Sequence, residues 1–196
     1  MGFFLLSSGT VASHPLVYAI DASSPVGHVD ATPVVAPKMP IVPGYPVTLT
    51  AYNAVPEQTD STPFETASGA YSNPEVIAAR SRDLADRLPF GTIIEIDGTN
   101  ASQKNCGYDI VAPIIGYRVI ADTMNARYTD RIDILFSTES NYAFKNGSTK
   151  NAGMVLGICD GVTVRVVGHV AIRNIPKTQI ELAKIVKGND SALARK

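Results

Sequence analysis

Two carboxylates stand in apolar stretches where an ionised group is costly. Asp122 ends the run Tyr117-Arg118-Val119-Ile120-Ala121-Asp122, and Asp133 is enclosed by Ile132 and Ile134. Each must therefore be hydrogen-bonded by turn amides, paired with a cation such as Arg131 or Arg127, or held with a raised pKa. The last state is what a general acid needs, so acid/base chemistry is the first candidate. Other chemistries have less behind them. The chain carries no Gly-rich phosphate loop, no Gly-x-Ser-x-Gly elbow and no Cys/His pairing in a helpful context. His14, His28 and His169 lie far from one another and from Cys106 and Cys159, a spacing that matches no zinc motif. No metal and no cofactor is expected.

The two cysteines admit two readings, idle thiols or a disulfide, and the second requires an oxidising compartment. For an exported protein we expect the Cys106–Cys159 bridge, since Cys106 lies in a polar loop (Lys104-Asn105-Cys106-Gly107) where a lone thiol would be open to oxidation.

The elements that must position these residues read as short strands. Val47–Tyr52, Gly91–Ile96, Tyr117–Asp122, Arg131–Phe136, Met154–Ile158 and Val162–Val167 are alternating or apolar runs bounded by Gly, Asn, Asp and Pro. Six such strands in this length suggest a small closed or nearly closed barrel, which removes exposed edges. Helix signals are fewer. Asn73-Pro74-Glu75 reads as the cap and first turn of a helix over Glu75–Leu88, and Ser137 as the cap of one over Ser137–Phe144. Thr178–Lys187 places Ile180, Leu182, Ile185 and Val186 at near-helical spacing, as in a surface helix with a solvated basic face.

Composition bounds the whole. The chain has 196 residues, net charge −1, 45% hydrophobic and 18% charged residues, which fits one domain with some additional length and excludes global disorder. The charge balance disfavours a nucleic-acid binder, and no apolar run is long enough for an integral membrane span. Residues 165–196 nevertheless hold seven basic side chains against two acidic ones. Residues 1–22 have a signal-peptide-like apolar character ending near Val17-Tyr18-Ala19, although no Lys or Arg precedes Lys38. Residues 23–46 form a Pro-rich segment, expected as an extended linker outside any sheet. The expected organisation is thus 1–22 signal-like, 23–46 linker, 47–168 barrel and 169–196 basic tail.

Four motifs in order carry a resemblance: Thr50-Ala51-Tyr52, Thr66-Ala67-Ser68-Gly69, Leu88-Pro89-Phe90-Gly91-Thr92, and Ala121-Asp122-Thr123 followed by Arg131-Ile132-Asp133-Ile134. Together they resemble the 3D (three-aspartate) domain of the double-psi β-barrels. That superfamily includes the membrane-bound lytic transglycosylase A and rare-lipoprotein-A families. The resemblance implies a mostly β fold, a six-stranded double-psi barrel with one or two short helices, an extended N-terminal arm and a helical C-terminal tail. It implies a secreted or cell-envelope protein acting on peptidoglycan glycan strands. Its members cleave the β-1,4 bond between N-acetylmuramic acid and N-acetylglucosamine without water. One carboxyl group protonates the leaving oxygen and then helps the 6-hydroxyl close a 1,6-anhydro ring.

By position Asp122 corresponds to the catalytic aspartate and Asp133 to its structural or electrostatic partner. Thr50, Tyr52, Thr66, Thr92 and Asn125 are expected to bind substrate. The third aspartate has no clean counterpart. Asp83 falls six residues before Pro89, and Met124-Asn125-Ala126-Arg127 stands where the family has small residues. Two other functions compete with the lyase: a non-catalytic wall-binding module of the expansin or barwin kind, and an envelope interaction protein that grips anionic polymer with its basic tail. A monomer is expected.

Overall fold

The computed structural model describes residues 44–59, 61–101 and 106–193. The signal-like segment and nearly all of the Pro-rich linker lie outside these residues. Six strands close into a barrel: β1 (Gly44–Asn53), β2 (Ile77–Arg80), β3 (Thr92–Asp97), β4 (Arg118–Thr123), β5 (Arg131–Phe136) and, after the two below, β8 (Cys159–His169). Around the barrel the order is β1-β5-β2-β4-β3-β8. The pairs β1/β5 and β2/β4 are parallel and the rest antiparallel. β6 (Asn141–Ala143) and β7 (Thr149–Asn151) form a separate hairpin. Helices α1 (Tyr108–Ile115), α2 (Ala152–Leu156) and α3 (Gln179–Leu193) complete the fold. No helix among the described residues is long and apolar enough to cross a membrane.

Alternation sorts the side chains into two clusters. The first takes residues from all six strands, among them Leu49, Ala78, Ile94, Ile120, Ile132, Ile134 and Val164, and so fills the barrel; Val111 of α1 and Leu156 of α2 join it. The second lies on the opposite face of five strands and includes Tyr52, Ala79, Val119, Ala121 and Leu135. Leu182 and Val186 of α3 cover this face. The C-terminal segment is therefore docked by its apolar stripe, with Leu182 and Val186 buried and Ile180 left in solvent.

Several expectations are corrected. The Glu75–Leu88 segment is not a helix: Ile77–Arg80 is strand β2, fully buried between β4 and β5, and a single 3-10 turn (Arg82–Leu84) follows it. Residues Ser137–Phe144 hold turns and β6, since Asn146-Gly147, with Gly147 at φ +82°, folds the segment into the β6/β7 hairpin. Met154–Ile158 is not a strand, because Asn151 accepts a hydrogen bond from Gly153 N and caps α2. The linker boundary at Pro46 also moves: β1 starts at Gly44, and Pro46 stands in the ladder opposite Thr163. Helix α1 was not expected; Pro113 inside it masks the helical pattern.

Cys106 and Cys159 form a disulfide with Cα atoms 4.8 Å apart, joining the segment before α1 to the first residue of β8. Arg118 is the largest fully buried side chain. Its guanidinium donates to the carbonyls of Ile114, Ile115, Pro74, Ile77 and Leu135, which ties the end of α1 to β2 and β5. Burial lowers its pKa to about 9, still far enough above neutral to remain a cation.

Candidate acid/base site

One row across the sheet carries the site. Thr50 of β1 is paired with Asp133 of β5, Asp133 with Ala79 of β2, and Ala79 with Asp122 of β4. Asp122 joins this row through an irregularity: Ala78 pairs with Ile120 but Ala79 pairs with Asp122, so Ala121 is the extra residue of a β-bulge. Strict alternation would have turned Asp122 toward the face of Ile120, in the barrel. A bulge re-aims the side chain that follows it, and here that chain is the carboxylate. Ala79 between the two aspartates is buried and offers only a methyl group, so no larger side chain on that strand separates the two carboxyl groups.

The bulge also frees a carbonyl. Ala121 O accepts from Ser68 N, and the adjacent Ala67 N donates to Asp122 Oδ1 at 2.9 Å. The Thr66-Ala67-Ser68-Gly69 motif is the turn that docks here. Thr66 N donates to Ala70 O, the buried Thr66 hydroxyl lies 3.0 Å from that of Ser68 and accepts from Ala70 N, and Gly69 takes φ +81°, a region that favours glycine. Thr66 thus shapes the turn and presents Ala67.

Asp122 collects three donors. Besides Ala67 N, Thr123 N bonds Oδ1 at 2.8 Å and the Tyr52 hydroxyl bonds Oδ2 at 2.8 Å. Such a set fixes the orientation of the carboxyl group. Burial, together with the charge and hydrogen bond of Asp122 and the charge of Asp133, pushes the Tyr52 hydroxyl well above its ordinary pKa, against the opposing pull of Arg118. Tyr52 is therefore a firm donor at any working pH.

Asp133 is placed differently. Thr50 Oγ1 donates to its Oδ1 at 2.8 Å, and the expected ion pair with Arg131 or Arg127 is not made among the described residues. Arg131 stacks on Tyr128, and Arg127 donates to the Tyr128 hydroxyl. Burial raises the Asp133 carboxyl to about 6, aided by the charge of Asp122, while Thr50 and the charge of Arg131 pull the other way. Of the alternatives open to the two carboxylates, amide hydrogen bonding describes Asp122 and a raised pKa describes Asp133.

Three expected residues are not brought to the pair. Thr92 is buried, its hydroxyl bonding Pro89 O inside the Leu88-Pro89-Phe90-Gly91-Thr92 turn. In that turn Arg80 holds Leu88 O and stacks on Phe90, and a Cβ at Gly91 would collide with Val170 O. Asn125 is exposed and caps its own turn through Arg127 N. Asp83 is exposed and accepts from Asp130 N. Its slight burial acts upward, but hydrogen bonds from Asp130 N and Ser81 outweigh it and hold the carboxyl below its usual value. Asp83 acts one step back, because Asp130 (φ +50°) and Arg131 lead into the strand that carries Asp133.

Sequence reasoning missed Ala67 and Thr123, which act through backbone amides, and Ala79, which acts by being small. Among the described residues no group of acidic, His and Cys side chains could hold a metal ion. No family model matches the chain, and no curated protein matches it.

Proposed function

We propose that this protein is a secreted, peptidoglycan-directed lytic transglycosylase built on a double-psi barrel, working with Asp122 and Asp133. The observation that carries the reading is the row Asp133–Ala79–Asp122: two carboxyl groups on one sheet face with only a methyl group between them, Asp133 raised by burial and Asp122 held by three hydrogen-bond donors. The mixed parallel and antiparallel order of the closed barrel supports the fold assignment.

The division of labour follows from the donors. Asp133, at about 6, keeps a proton in mildly acidic solution where an ordinary aspartate would keep almost none. It protonates the glycosidic oxygen as the C1–O bond breaks. Asp122, oriented by hydrogen bonds from Tyr52, Ala67 and Thr123, faces the positive charge that develops at C1. The 6-hydroxyl of the muramoyl residue then closes on C1, and its proton returns to the Asp133 carboxylate. No water is consumed. This places the acid on Asp133, whereas the resemblance alone assigns it to Asp122.

The test is digestion of purified peptidoglycan with mass spectrometry for 1,6-anhydro products. Wild type should release them, with a rate that falls as pH rises through about 6. Asp133→Asn and Asp122→Asn should each lower the rate by roughly 10²–10⁴. Wild-type cleavage by both variants would remove the assignment.

One observation favours a second reading. Phe64 and Tyr71 are 63% and 68% exposed on the hairpin that clamps Asp122, a ready stacking surface for sugar rings. A wall-binding module would use them without the aspartates. Sedimentation with peptidoglycan that is lost in Phe64→Ala/Tyr71→Ala, with no anhydro product from wild type, would favour it.

A further inference from the structure

Beside the clamp on Asp122 runs an open groove of about 1030 Å³. One wall is Gly69, Ala70 and Tyr71, continuing directly from the turn that gives Ala67 N to Asp122; the other is the segment after β8, with Arg173, Ile175 and Lys177. The walls are tied together, since Asn73 Nδ2 donates to Lys177 O at 2.8 Å. The groove thus shares a structural element with the acid/base site and is fixed in relation to it.

Its charge is one-sided. Arg173 and Lys177 are exposed and form no ion pair among the described residues, whereas Arg165, from the same basic stretch, is spent on Glu95 and Asp97. Glu181 accepts from the backbone N–H groups of Lys177 and Thr178, and Glu75 accepts from Gln179 N. Both acids are thereby engaged with backbone at the start of α3. A neutral sugar needs a stacking face and hydroxyl partners but has no use for two free cations. A peptide bearing carboxylates needs both the cations and the apolar floor.

We propose that this groove binds the carboxylate-bearing peptide substituent of the glycan, with Tyr71 and Ile175 against its apolar side chains and Arg173 and Lys177 on its carboxylates. The proposal rests on the glycan reading above and adds a specificity: strands that carry acidic peptides are held next to the Asp122–Asp133 row, and stripped strands are held less well.

The experiment uses the full chain and three soluble probes: a glycan fragment with a peptide bearing two free carboxylates, the same fragment with both carboxylates amidated, and the fragment stripped of peptide. Binding is followed by calorimetry at low and at high salt. The free-acid probe should bind best, and Arg173→Gln/Lys177→Gln should weaken it about tenfold, to the level of the amidated probe. That loss should shrink at high salt. Both side chains are exposed, so an unchanged melting temperature certifies the fold of the variant. Equal binding of free-acid and amidated probes, an unaffected double variant, or tighter binding of a polyphosphate competitor than of the free-acid probe would overturn the proposal. Absence of anhydro products alongside intact carboxylate discrimination would instead remove the lyase reading and leave the groove assignment standing.

Discussion

The Tyr52 hydroxyl reaches past the row residue Ala79 to bond Asp122 Oδ2 at 2.8 Å, so β1 and β4, which are not neighbours in the barrel, are joined at the site by one side chain. Tyr52→Phe removes that bond and leaves the ring in its cluster. It should cost about 1–3 kcal/mol in urea unfolding, as for a hydrogen bond to a charged group. On the proposed lyase reading kcat should fall while KM holds, because the bond orients the carboxyl group.

The raised Asp133 carboxyl makes stability depend on pH in a stated direction. Folded Asp133 binds its proton up to about 6, whereas the unfolded chain releases it near the ordinary 3.8. Its stabilising contribution is therefore complete below about 3.8 and is lost as pH rises through about 6. Asp133→Asn, which stays neutral, should match wild type at pH 4. At pH 7.5 it should be more stable by on the order of 2 kcal/mol, measured as the difference in denaturant midpoints. An Asn variant less stable than wild type at pH 7.5 would contradict this.

Cross-linking Cys106 to Cys159 closes a loop with a sequence separation of 53. In the chain-entropy account such a loop contributes about 4 kcal/mol. Double substitution to Ala should lower stability by up to that amount and lower the melting temperature with it. Mass measurement under non-reducing conditions should find no free thiol.

Asp130 holds a positive φ with a non-glycine side chain, and its N–H is secured by Asp83. Asp83→Ala should cost about 1 kcal/mol, whereas Asp130→Gly should be neutral or stabilising by up to about 1 kcal/mol. Both are read by thermal unfolding. Because this turn starts β5, on the proposed lyase reading Asp83→Ala should also slow cleavage, although Asp83 lies outside the pair.

Much of the barrel is legible in the sequence, and the failures have identifiable causes. Arg131–Phe136 alternates cleanly and is β5 to the residue. Ile77-Ala78-Ala79-Arg80 has helix-compatible residues behind an apparent cap, and pairing on both sides by β4 and β5 overrides that preference. Met154–Ile158 is a short apolar run, and such runs do not distinguish strand from helix. In the site, the two aspartates are visible as carboxylates among apolar residues. The bulge at Ala121 is not, because nothing in a sequence of Ile-Ala-Asp says that one residue will be skipped in the ladder. The amides of Ala67 and Thr123 have no side-chain signature at all.

The strand order has a consequence for how the candidate site is assembled. No two neighbours in β1-β5-β2-β4-β3-β8 are consecutive in the chain except β3 and β4. Contacts of this kind demand the closure of long loops before they repay it, so folding should fall in the slow, high-contact-order regime of milliseconds to seconds. The row Thr50–Asp133–Ala79–Asp122 draws on four strands, and its members meet only when β1 finds β5 and β2 inserts between β5 and β4. An N-terminal fragment emerging during synthesis therefore carries Tyr52 and Ala79 with no carboxylate opposite them. The candidate site should therefore assemble in one late step, together with barrel closure, and on the proposed lyase reading a refolding time course should show cleavage lagging behind the first strand signal.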